Sequence, residues 1–152
     1  MTTYAIERDI EIEAPVEVVW RTITEPNQVR RWLCDSVAVE AQPGASGTLT
    51  FDRDDEEALV VNLTVVAVEP HHRYSFRWCY PSGVSATPAN SVLVTFTLTS
   101  AGEERTKLRV EETSLEAVDW PDHEKDSYVE SHQDGWQTRG EILRELFATE
   151  QT

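Results

Sequence analysis

Few side chains in this 152-residue sequence are equipped for chemistry, and they do not cluster. His132 is the best placed of the four histidines. An imidazole titrates near neutral pH and serves as general acid or base wherever a substrate meets it. His71 and His72 fall at a turn, and His123 falls in an acidic stretch. No spacing among the four suits zinc. The two cysteines, Cys34 and Cys79, lie far apart and are expected to be free, buried thiols in a reducing compartment. There is no Gly-x-Ser-x-Gly and no phosphate-cradling glycine loop. No catalytic residue, metal or cofactor is therefore assigned, and the reading favours binding over catalysis. Arg8 and Glu112 are the remaining candidates. Each shares the inward parity of its strand with apolar neighbours, and a buried charge needs a partner. The two strands could bring them together as a pair inside or at the mouth of a cavity.

Most of the chain is patterned to form strands. Residues 5–13 alternate, with Ile6, Arg8, Ile10 and Ile12 on one face and acids on the other. Pro15 suits the first turn of a helix carrying Val16, Val19, Trp20 and Ile23. Pro26 restarts the chain as a second short helix to Leu33. Strands are predicted at 36–42, 47–53, 58–68, 72–80, 91–99 and 105–114, with short connections that point to an antiparallel meander. The acidic run Asp52 to Glu57 reads as a solvated turn without the ligand geometry of a calcium site. Residues 81–90 read as a loose loop, and 115–125, with Trp120-Pro121, as a segment crossing the mouth of the sheet. One long amphipathic helix is predicted from Asp126 to Thr149, with His132, Gly135, Trp136, Leu143, Leu146 and Phe147 on one stripe. Gly135 and Gly140 are expected to mark close approach of this helix to the sheet.

Composition excludes several classes. A net charge of −15 argues against nucleic acid and anionic membranes as partners. No run approaches the roughly 20 apolar residues of a membrane span. Met1-Thr2-Thr3-Tyr4 lacks the basic start of a signal peptide. The expected compartment is the cytoplasm, and the expected organisation is a single domain over 1–152.

Four stretches together resemble one family. They are Ile12-x-Ala14-Pro15-x3-Val19-Trp20-x2-Ile23-Thr24-x-Pro26-x2-Val29-x2-Trp32; Pro43-Gly44 through Gly47 to Phe51; Glu69-Pro70-x2-Arg73-x2-Phe76-x-Trp78; and His132-x2-Gly135-Trp136-x6-Leu143-x2-Leu146. Their order is similar to that of the START-like, or SRPBCC, superfamily. More narrowly it resembles the family of the C-terminal domain of the activator of the 90-kDa heat-shock-protein ATPase. The resemblance implies an α+β helix-grip fold: a curved antiparallel sheet of six or seven strands around a long C-terminal helix, with two short helices after strand one. It implies no shared catalytic set. Members of the superfamily bind lipids, sterols, polyketides and plant-type aromatics, a few catalyse cyclisation or dehydration, and some two-domain members stimulate a chaperone ATPase.

Three functions stay open on this reading. The first is a binding protein holding a small hydrophobic or aromatic molecule in a cavity between sheet and closing helix. Its walls would be Trp32, Phe51, Tyr74, Phe76, Trp78, Phe96, His132, Trp136 and Leu143, closed over by loop 81–90 and Trp120-Pro121, with Arg8 and Glu112 as polar selectors. The second is a co-chaperone-like interaction module, with a chaperone as partner. The third is a cyclase or dehydratase using His132 or Glu112. A homodimer is open on any of them.

Overall fold

A computed structural model describes residues 4–52, 57–80 and 83–150, the last three without their side chains. Most of the acidic turn after Asp52 and the Pro81-Ser82 start of the 81–90 loop lie outside the described residues, as does the N-terminal Met1-Thr2-Thr3.

Seven strands form one antiparallel sheet in the order β1-β7-β6-β5-β4-β3-β2. They are β1 (Ile6–Ile12), β2 (Ser36–Ala38), β3 (Ser46–Phe51), β4 (Leu59–Glu69), β5 (Arg73–Tyr80), β6 (Val92–Gly102) and β7 (Arg105–Thr113). All strands after β1 run as a meander, and β1 closes the far edge by pairing with β7. Two short helices, α1 (Val16–Thr24) and α2 (Pro26–Val29), follow β1. A 3-10 turn at Leu115–Ala117 leads to the long helix α3 (Asp122–Glu150). This is the helix-grip architecture.

The alternation along β1 works as the sequence suggests. Ile6, Ile10 and Ile12 are buried, while Glu7, Asp9 and Glu11 face solvent. That acidic outer face is not left to repel itself. Arg109, across the ladder on β7, forms ion pairs with Glu7, Asp9 and its own neighbour Glu111 at 2.8–3.2 Å. Each such exposed pair contributes little alone, but together they knit β1 to β7.

Several boundaries differ from the sequence reading: α2 stops at Val29 rather than Leu33, and β6 runs on to Gly102 rather than ending at residue 99. α3 begins at Asp122 rather than Asp126. Pro121 provides the starting carbonyl, accepting from the Glu124 and Lys125 amides, and Asp122 and Glu124 place negative charge at the positive end of the helix. The buried Lys125 reinforces the start by donating to the Glu116 carbonyl. β2 stops at Ala38 rather than reaching residue 42, because the chain turns at Gln42–Ala45 to run antiparallel to β4.

The interior holds a connected set of rings. Tyr74, Phe76 and Trp78 stand side by side on β5, with Tyr74 and Phe76 packed on Phe96 of β6. Phe96 also meets Trp32, which follows α2, and Trp136 on α3. The Trp32 indole N–H is satisfied by the Thr22 carbonyl at 2.9 Å. Leu143 is fully buried.

The two glycines of α3 do opposite things. At Gly140 an added Cβ would come within 2.9 Å of Ile10 Cδ1, so this glycine lets the helix lie on β1. At Gly135 an added Cβ would meet nothing within 4 Å, which corrects the expectation of close approach there. Gly135→Ala should therefore stabilise by about 0.5–1 kcal/mol through helix propensity, raising the melting temperature by roughly 2–3 °C. Gly140→Ala should melt below Gly135→Ala, because Ile10 must shift. Thermal melts followed by circular dichroism of both variants test the contrast.

Candidate functional site

The most unusual group in the molecule is the Glu112 carboxylate. β7 alternates like its neighbours, and its inward parity puts Leu108, Val110 and Glu112 under α3. Glu112 is 1% exposed. A carboxylate in such a place survives only if its lone pairs are taken up. Four donors supply this. Trp78 donates its indole N–H to Oε1 at 3.0 Å, sharing it with the Tyr128 oxygen at 2.8 Å. The Tyr128 hydroxyl donates to the same Oε1. Trp136 donates to Oε2 at 2.7 Å, and His132 Nδ1 meets Oε2 at 2.8 Å.

One element supplies three of these donors. Tyr128, His132 and Trp136 are spaced four apart on α3 and so share a face. Tyr128 and His132 stack at 3.7 Å between ring centroids, and Trp78 stacks on Trp136 at 5.8 Å. Trp120 backs Tyr128 from the far side at 5.6 Å. Because an ionised carboxylate only accepts, the hydrogen on His132 sits on Nδ1. In the neutral ring this makes Nε2 an acceptor, and Nε2 has no hydrogen bond among the described residues.

Beside this cluster lies a cleft of about 210 Å³. Phe51, Leu59, Val61, Trp78 and Cys79 form the sheet wall. Ser131, His132, Gly135, Trp136 and Arg139 form the helix wall, and Leu33 closes one end. The absent side chain at Gly135 leaves space here. Cys79 reaches the cleft through backbone irregularity. It sits at φ 67° beside a register shift between Asn62 and Leu63 of β4. Burial, with the Glu112 charge adding, pushes its thiol up to about 12. Burial and Glu112 likewise hold the Tyr128 phenol well above 10.

The expected cavity residues thus divide. Phe51, Trp78, His132 and Trp136 line the cleft, whereas Trp32, Tyr74, Phe76, Phe96 and Leu143 pack into the core away from it. Glu112 lies behind His132 and Trp136 as their anchor. Arg8 does not join it. Ile6 is the residue opposite Glu112, while Arg8 faces Val110, one side-chain repeat away. The Arg8 guanidinium donates instead to the Gln133 carbonyl at 3.3 Å, and its Nε is buried without a partner. Neither the described part of loop 81–90 nor Trp120-Pro121 lines the cleft. Tyr128, Cys79 and Arg139 escaped the sequence reading. Tyr128 and Arg139 were findable, lying four residues before and seven after His132 on the helix. The exposure of Cys79 depends on the irregular ladder, which leaves no sequence signal. Cys34 and Cys79 are free thiols. Among the described residues no cluster of His, Cys, Asp and Glu could hold a metal ion, and no helix is long and apolar enough to cross a membrane.

Glu112→Gln should destabilise by about 2–4 kcal/mol, since the amide brings a donor to a place ringed by donors. A lowered urea midpoint would show it; an unchanged midpoint would contradict this account of the cluster. The raised thiols set a pH dependence. Burial raises Cys34 to about 11 and Cys79 to about 12, from an ordinary value of 9.0. The folded chain therefore holds these protons more tightly than the unfolded chain. Stability should fall as pH rises above about 9 and continue falling toward the folded values. Cys34→Ser/Cys79→Ser should flatten that decline in urea melts between pH 8 and 10.5.

Comparison with known proteins agrees with the architecture. The profile of the family "Activator of Hsp90 ATPase homolog 1-like protein" matches residues 13–148. Comparison with the curated proteins gives no match. Among solved structures, protein MLL2253 from Mesorhizobium loti is 25% identical with a TM-score of 0.74, covering 95% of this chain and 97% of that one. DynU16, from the dynemicin biosynthetic locus, is 28% identical with a TM-score of 0.71, covering 95% of this chain and 48% of that one. The Aha1 dimer from Colwellia psychrerythraea is 15% identical with a TM-score of 0.71, covering 97% of this chain and 96% of that one, and shows a shared fold. With a seven-stranded sheet gripping one long helix and a family match over nearly its whole length, the chain belongs to the Activator of Hsp90 ATPase homolog 1-like family of the START-like superfamily.

Proposed function

We propose that this protein binds a small, largely apolar molecule containing one aromatic ring, in the cleft between β3–β5 and α3. The observation that carries the reading is the cleft itself. Its walls are aromatic and aliphatic, and a few fixed polar groups stand at their edge. The size sets the ligand. Drug-sized ligands need roughly 300–1,000 Å³. A dry apolar cavity of about 150 Å³ already takes benzene. A cleft of about 210 Å³ therefore suits a single substituted ring rather than a sterol or a polycycle. Affinity comes from apolar burial at roughly 25 cal/mol per Å², less the costs of association. Membership of a 28%-identical relative in a biosynthetic locus fits a domain that handles small organic molecules.

The His132 ring is held by Glu112 on one side and stacked by Tyr128, so it enters binding pre-oriented. With Nδ1 turned to Glu112, its Nε2 is the ring atom left for a hydrogen bond with a ligand hydroxyl. Its fixed orientation supports selection by hydrogen bonding.

Intrinsic fluorescence tests the proposal directly, because Trp78 and Trp136 both line the cleft. Titration with single-ring compounds such as p-cresol should give saturable quenching, with dissociation constants in the micromolar to low millimolar range. Gly135→Leu should fill the space and abolish the response without lowering the melting temperature. Saturable quenching that survives Gly135→Leu would place the ligand elsewhere, and its absence across a panel of ring compounds in the unmodified protein would remove the reading.

A further inference from the structure

We propose that the ligand of this cleft is an anion: a single-ring aromatic carboxylate whose carboxylate is taken by Arg139. The inference rests on the cleft-binding reading and adds the class of molecule bound. Among the described residues, Arg139 is the one cation lining a cleft whose other walls are apolar or uncharged apart from His132 and Cys79, and no carboxylate lines it. It forms no ion pair among the described residues, and its guanidinium stands 5.9 Å from the centre of the Phe51 ring. Arg8, Arg30 and Arg77 also form no ion pair there, but each donates to a backbone carbonyl. Arg73, Arg105 and Arg109 all hold carboxylates at 2.8–3.2 Å. Arg139 is held at the cleft by an aromatic face instead, with its planar fork of donors uncommitted.

The polarity of the cleft fixes which way the ligand lies. His132, Gly135 and Arg139 follow one another at i, i+3 and i+7 along one face of α3. His132 and Arg139 are therefore about 10 Å apart along the helix axis. Behind His132 lies the buried Glu112 carboxylate, which disfavours a second carboxylate at that end. At the other end Arg139 attracts one. A ring lying over Gly135 against Trp78 and Trp136 would point its carboxylate toward Arg139. The protein's overall charge of −15 repels anions in general, so discrimination must come from this local cation.

Phenylacetate and phenylacetamide have nearly the same shape and differ in charge, which makes them suitable probes. Calorimetric or fluorescence titration of the full chain should show phenylacetate binding at least tenfold more tightly. Arg139→Gln should erase that preference by weakening phenylacetate several-fold more than phenylacetamide, and Arg139→Lys should retain part of it. Circular dichroism melts confirm that both variants fold. Equal affinity for the two probes in the unmodified protein would overturn the carboxylate assignment and leave the cleft reading standing. So would a preference unchanged in Arg139→Gln. Failure of both probes to bind would overturn the two together.

Discussion

Everything on the inner side of this sheet is arranged around one buried negative charge. Glu112 cannot be removed from water without donors, and its donors come from elements far apart in sequence: Trp78 from β5, and Tyr128, His132 and Trp136 from α3. Each bond is directional, so the carboxylate fixes how far α3 slides along the sheet and how it rotates about its axis. Apolar burial alone would tolerate a neighbouring arrangement of Leu143 and Phe147. A four-way polar clamp does not. Buried polar groups are an uncertain source of stability but a plausible source of uniqueness.

The clamp also explains why the cleft is small. Two indole rings and a phenol turned toward one carboxylate fill much of the volume that a curved sheet would leave open under a helix. Phe76, Phe96 and Trp32 fill more from the other side. What stays unfilled lies toward β3 and β4, where Gly135 contributes no side chain and Arg139 reaches across to Phe51. The cleft is thus a consequence of the polar cluster's position.

The sequence was most readable where one periodicity governs one face. β1, β5, β6 and β7 largely alternate, and most of their inward residues are buried, Glu112 included. The sequence places the start of α3 four residues late because Pro121 reads as part of a crossing segment, although a proline followed by acidic residues is also a helix opening. Among the aromatics, period two told which faced inward. It could not tell which would border open space, because that depends on how rings from three elements share a volume. Arg8 shows the same limit for charge: parity placed it on the same side as Glu112, but pairing needed the register between β1 and β7.

That register links distant parts of the chain in time as well as space. Ile12 lies opposite Thr106, and Ile6 opposite Glu112. On a ribosome, β1 emerges long before the strand it pairs with, roughly a hundred residues later, and its row of isoleucines has no sheet to join until then. Glu112 arrives on that same strand, and α3 later still. Such non-local closure makes for slow folding and leaves an adhesive edge exposed during synthesis. The acidic outer face of β1 acquires a second value in this light: Glu7, Asp9 and Glu11 keep nascent chains apart until Arg109 arrives to neutralise part of that charge.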